Sequence, residues 1–235
     1  MTFLWDITKG AYKFTKKEDK IIRWLLEVLI QECPKTCSFL NVLELSKVQF
    51  YWAPYMTHEN GVAGAWCITS PNRIYLIRVD DNRLLPTKGE ENNVSRSGLI
   101  RDIKTLHVMA GVMDPHVGVT LIHELIHKLQ FSVSPLAYVF NRLITLFIDR
   151  VPFLEMIGIE YDARANSETD ELFDFLQEFS NSLTSYESAI RCKSPADPEN
   201  FLYNCWNGCD EDGTPHHSEK IKKLTLEFFD LINED

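Results

Sequence analysis

Thr120-Leu121-Ile122-His123-Glu124-Leu125-Ile126-His127-Lys128-Leu129-Gln130 is the stretch around which the rest of the chain can be read. Residues four apart stack along one side of an α-helix, so a helical reading puts His123 and His127 on a shared face, one turn apart. Two imidazoles in that relation can grip one zinc ion. Glu124 lies about 100° round the helix from His123, within reach of a water on the metal without being a ligand. Zinc lowers the pKa of such a water towards neutrality, and a carboxylate can take the proton as the water attacks.

The flanks suit a buried helix. Asp114-Pro115 supplies an N-cap followed by a proline at the first helical position, where a missing N–H costs nothing. Val119, Ile122, Ile126, Leu129 and Val133 form an apolar stripe, widened by Leu121 and Leu125. Polar side chains on such a helix have to be satisfied, and metal binding does this directly.

The 235 residues, 45% of them hydrophobic, suffice for one sizeable core, so the expectation is a single domain over 1–235. A formal net charge of −10 and a pI near 5.2 argue against nucleic acid, whose phosphates want a basic face. The start, Met1-Thr2-Phe3-Leu4-Trp5-Asp6, lacks the pattern of a secretory signal, and a cytoplasmic location is the expectation. The longest apolar run, Leu136 to Ile148, is interrupted by Asn141 and Arg142 and falls short of the roughly 20 residues that cross a bilayer. It reads as a core helix, and membrane contact is not expected.

Six cysteines stand at positions 33, 37, 67, 192, 205 and 209, and free thiols suit a chain without a secretion signal. Cys33 and Cys37, and Cys205 and Cys209 with His216 and His217 after them, leave open a second, structural metal or disulfides involving Cys192, Cys205 and Cys209.

Along the chain, Thr15-Lys16-Lys17-Glu18 resembles a capping box ahead of Ile21, Ile22, Leu25, Leu26, Leu29 and Ile30, predicting an amphipathic helix over about 16–32. Alternation at Val48, Phe50 and Trp52, and the runs Gly61–Ile68 and Arg73–Val79 joined by Thr69-Ser70-Pro71-Asn72, predict a small antiparallel sheet. Asp80 to Gly98 reads as a surface loop and Leu99 to Ala110 as a helix. After the histidine helix, Ser134-Pro135 opens another to about Asp149. A long helical pattern from about Phe153 towards Ser182 follows, broken around Gly158. Residues 191–217 read as an irregular, Cys-containing excursion and 218–235 as a closing helix.

Hydrolytic zinc sites usually have three protein ligands and one open position, so a third is needed. The later helix supplies Glu160, flanked by Ile157, Gly158, Ile159 and Ala163, with Asp162 as rival. Glu160 and Asp162 point about 160° apart on a helix and cannot both face one ion. His123-Glu124-Leu125-Ile126-His127 followed by Glu160-Tyr161-Asp162-Ala163 resembles the gluzincin class of zinc metallopeptidases. That resemblance implies an α+β, mainly helical zincin-like domain with a small sheet before the histidine helix. It implies one catalytic zinc held by His123, His127 and Glu160, with Glu124 as general base, and a peptide or protein substrate lying along the sheet's edge strand. One departure stands out: where some relatives place an aspartate four residues after the ligand glutamate, this chain has Arg164. Tyr138, Tyr161, His107 and His116 remain open as oxyanion stabilisers. The alternative to a peptidase is a non-catalytic zinc-binding or interaction module that keeps the zincin shape. Oligomeric state and cleavage specificity are not legible.

Overall fold

The computed structural model describes residues 11–53, 64–66, 70–77, 115–140, 159–191, 206, 208–209 and 212–234, with the backbone alone at 53, 64–66, 77, 159–160 and 188–191. Helices dominate these residues, beside one small sheet, an α+β arrangement. The expected loop over 80–98, the helix over 99–110, the stretch 141–158 and most of 192–211 lie outside them.

Helix α1, Lys16–Glu32, begins where the sequence says it should. Thr15 Oγ1 accepts from Glu18 N at 3.2 Å, and the Glu18 carboxylate accepts from Thr15 N at 2.8 Å, closing a reciprocal cap. Ile21, Ile22, Leu25, Leu26 and Leu29 are buried along one face. Pro34 starts the short helix α2, Pro34–Cys37. Two 3-10 turns then lead into the sheet, tied down by Arg23, which donates to the carbonyls of Leu45 and Val48 at 2.8 and 3.0 Å.

The sheet has four strands: β1 (Tyr12–Lys13), β2 (Gln49–Ala53), β3 (Gly64–Trp66) and β4 (Arg73–Ile77), in the spatial order β1-β2-β4-β3. It is mixed, not antiparallel as expected. The turn at Pro71-Asn72 does fold β3 back against β4, with Trp66 opposite Ile74. β2 runs in the same direction as β4 and takes β4's other edge, pairing Phe50 with Ile74 and Trp52 with Leu76 in parallel. Alternation along a strand specifies which face is buried and says nothing about which neighbour it meets. The face itself is as expected: Val48, Phe50 and Trp52 are buried, and Phe14 stacks on Trp52 with ring centroids 4.4 Å apart.

Helix α3, Pro115–Val133, carries the two histidines and packs against β3, β4, α4 (Ile159–Ser167) and α5 (Asp170–Arg191). Leu121, Ile122, Leu125 and Ile126 enter the core, while Val119 and Leu129 are partly buried. Val133, read as the end of the apolar stripe, is 77% exposed because it closes the last turn, beyond the sheet and α5. In the helical segment 135–140 that follows, Tyr138 is buried but Leu136 and Phe140 are exposed, so this part is not the expected core helix.

Gly158, where a break was expected, lies outside the described residues; the pattern read as continuous towards Ser182 is interrupted at Glu168-Thr169, which separates α4 from α5. Thr169 Oγ1 accepts from Leu172 N at 3.3 Å, and Asp170 and Glu171 place acids in the first turn. Helix α6, Glu219–Asn233, closes the fold, capped by Ser218 and packed on α5 through a buried Ser182–Thr225 hydroxyl pair at 2.8 Å. Trp24, Phe179 and Phe228 join α1, α5 and α6 in one aromatic cluster.

Close approach of α3 and α5 depends on Gly118, where a Cβ would lie 2.5 Å from Leu176 Cδ1. Gly118→Val should therefore lower stability by about 1–3 kcal/mol through overpacking. A lowered urea midpoint with an unchanged slope would show it, and the Gly118→Val/Leu176→Ala pair should cost less than the sum of its singles.

Candidate metal centre

The histidine helix is locked to the sheet before it presents anything. Lys128 is buried and donates from Nζ to the Pro71 carbonyl at 3.2 Å and to Asn72 Oδ1 at 2.9 Å. Its ammonium is drawn below its ordinary value by that burial, with Glu44 opposing.

His123 and His127 face each other as the four-residue spacing requires. Their Nε2 atoms are 3.0 Å apart and their rings are nearly perpendicular, at 88°. His127 is 1% exposed and Glu124 8%, so both lie within the fold.

The neighbours of these rings decide where their protons sit. The Asp162 carboxylate accepts from Gln130 Nε2 at 2.8 Å and from Asn166 Nδ2 at 3.0 Å. A carboxylate only accepts, so the amide nitrogen of Gln130 turns to Asp162 and its carbonyl oxygen turns to His127 Nδ1, 2.9 Å away. That leaves the proton of His127 on Nδ1 and a lone pair on Nε2. Ser167 Oγ lies 3.3 Å from the Arg164 carbonyl and 3.4 Å from His123 Nδ1, so that ring too is engaged at Nδ1. With Nδ1 of each ring turned to Gln130 or Ser167, the two Nε2 atoms that face one another are placed to share one cation. Tetrahedral bonds of about 2.0–2.1 Å separate two nitrogen ligands by roughly 3.3 Å, close to the spacing found, so the pair fits zinc.

The other expected residues sort as follows. Asp162, the rival third ligand, is exposed, and its carboxylate meets His127 through Gln130. The backbone of Glu160 belongs to α4, and its side chain lies outside the described residues. On that helix Glu160 shares a face with Ala163 and Ser167, both 0% exposed, and Ser167 reaches His123. Among the described residues no three His, Cys, Asp or Glu side chains converge; the two histidines do.

Tyr138 is buried edge-on to His127, with ring centroids 5.9 Å apart, whereas Tyr161 is 49% exposed and His116 lies at the far end of α3. His107 lies outside the described residues. Cys33 and Cys37 are free, fully buried thiols; burial pushes Cys33 to about 12 and raises Cys37 as well. Cys209 is free and exposed, pairing across a bridge with Pro215, while His216 is exposed and His217 buried; Cys192 and Cys205 lie outside the description.

Gln130 was not singled out by sequence, although a glutamine three residues after a histidine on a helix is within its reach. Asp162–Asn166 is a four-residue pair of the same kind. Among the described residues no helix is long and apolar enough to cross a membrane. The chain matches no protein-family model, no curated protein and no solved structure.

Gln130→Leu should reduce zinc affinity about 10- to 100-fold, the usual effect of losing a group behind a ligand histidine. Competition with a chelating dye reads the affinity, and imidazole 15N shifts read the loss of the Nδ1-protonated form of His127. Gln130→Glu combined with Asp162→Asn, which keeps an acceptor towards His127 and a donor towards residue 130, should recover that form. An unchanged affinity in Gln130→Leu contradicts the relay.

Proposed function

We propose that this chain is a zinc metallopeptidase of zincin-like build, resembling gluzincins, that hydrolyses peptide bonds. The observation that carries the reading is the His123–His127 pair, 3.0 Å apart at Nε2, with each Nδ1 engaged from behind. His123, His127 and Glu160 would hold the ion. Glu160 is supported as the third ligand by its place on the α4 face that Ala163 and Ser167 bury against α3.

Zinc bound there supplies a water acidic enough to ionise near neutrality and a positive charge for the carbonyl oxygen. Glu124 takes the proton of the attacking water and delivers it to the leaving amine nitrogen. Tyr138, packed against His127, is the best placed of Tyr138, Tyr161 and His116 for the developing oxyanion.

The sheet supports the substrate's class. β3 is the terminal strand of the described sheet and packs against α3, so an extended peptide can add to that edge beside the histidines. Main-chain pairing of this kind recognises a peptide backbone whatever its sequence.

Glu124→Gln should keep one equivalent of zinc and lose about 10²- to 10⁴-fold in kcat on a peptide mixture, the span general-base catalysis provides. Mass spectrometry of the digest and metal analysis of the same sample make the comparison. Undiminished hydrolysis in that variant would overturn the mechanism.

A further inference from the structure

A cleft of about 560 Å³ opens between the N-terminal half of α3 and the junction of α4 with α5. Its size falls within the range of small-ligand sites. Val119 and Phe173 line it with apolar surface, Thr120 and His116 continue the α3 wall, and Glu168 and Asp170 stand on the opposite side. The His116 and Phe173 rings meet edge-on, with centroids 5.8 Å apart.

The cleft adjoins the candidate metal centre. Thr120 precedes His123 and Glu124 by one helical turn, and Glu168 directly follows Ser167, whose Oγ lies 3.4 Å from His123 Nδ1. A side chain seated here belongs to a residue at or beside the bond that Glu124 serves.

We infer that the cleft receives an arginine or lysine side chain of the peptide, its aliphatic stem against Val119 and Phe173 and its cation between Glu168 and Asp170. The inference rests on the peptidase reading for its substrate, though not for its geometry. Long basic side chains bury their stems on apolar surface while keeping their charge at a polar rim, and an aromatic face adds attraction for a cation. Two carboxylates on one wall repel acidic side chains. Glu168 is free to change partner: its ion pair with Arg164 is 3.7 Å long, and the two side chains are 61% and 63% exposed. An incoming guanidinium can therefore take over without displacing anything buried.

The test uses the full chain carrying Glu124→Gln and dye-labelled octapeptides identical except for a central Arg, Gln or Glu, read by fluorescence anisotropy. The Arg peptide should bind about tenfold more tightly than the Gln peptide, a difference of about 1.4 kcal/mol, and the Glu peptide most weakly. Glu168→Lys with Asp170→Lys should reverse the order, and Phe173→Ala should weaken the Arg peptide severalfold. Equal binding of the Arg and Gln peptides, or no binding of either, overturns the inference, and that comparison needs no substitution in the cleft. An order that survives the double charge reversal overturns it too. Hydrolysis by the unsubstituted chain is scored separately. Arg selectivity without hydrolysis removes the peptidase reading and leaves the cleft's preference standing, whereas hydrolysis without Arg selectivity removes the cleft proposal alone.

Discussion

Two imidazole nitrogens held 3.0 Å apart on successive turns of one helix are the constraint that gives this fold its chemical meaning. Each ring is engaged from behind at Nδ1. Gln130 is oriented by Asp162, and Asp162 by Asn166, so the state of His127 is set by a chain of three side chains drawn from α3 and α4.

The rest of the structure keeps that geometry rigid. α3 is gripped on one side by the sheet, where Lys128 pins it to the turn before β4, and on another by α5, which comes close only because residue 118 has no side chain. Glu124 and His127 are buried, 8% and 1% exposed. Electrostatic interactions are stronger in such surroundings than in bulk water.

What the sequence made legible is what depends on near neighbours. The Thr15–Glu18 cap, the stripe of α1, the alternation of β2 and the pairing of His123 with His127 all arise within four residues, and each is found where the pattern put it. What it hid depends on distant partners. The direction of β2 against β4 is decided by which edge β3 occupies, and no alternation records that. The cap at Thr169 was masked by helical periodicity running on both sides of it. Asp162 looked like a possible ligand because its chemistry suits a metal; its contact with Gln130, 32 residues away on α3, is not recorded in any local pattern. Cys33 and Cys37 had a suggestive spacing, but their place in the core holds them as protonated thiols.

The central claim is that the ion is held by imidazole and carboxylate, with room left for water. X-ray absorption at the zinc edge of the full chain tests it most directly. The account predicts a first shell of nitrogen and oxygen atoms only, at about 2.0–2.1 Å, with two imidazoles contributing outer-shell scattering that disappears in His123→Ala/His127→Ala. A shell dominated by sulfur at about 2.3 Å would contradict it, as would a chain that retains no zinc when metal is supplied at neutral pH.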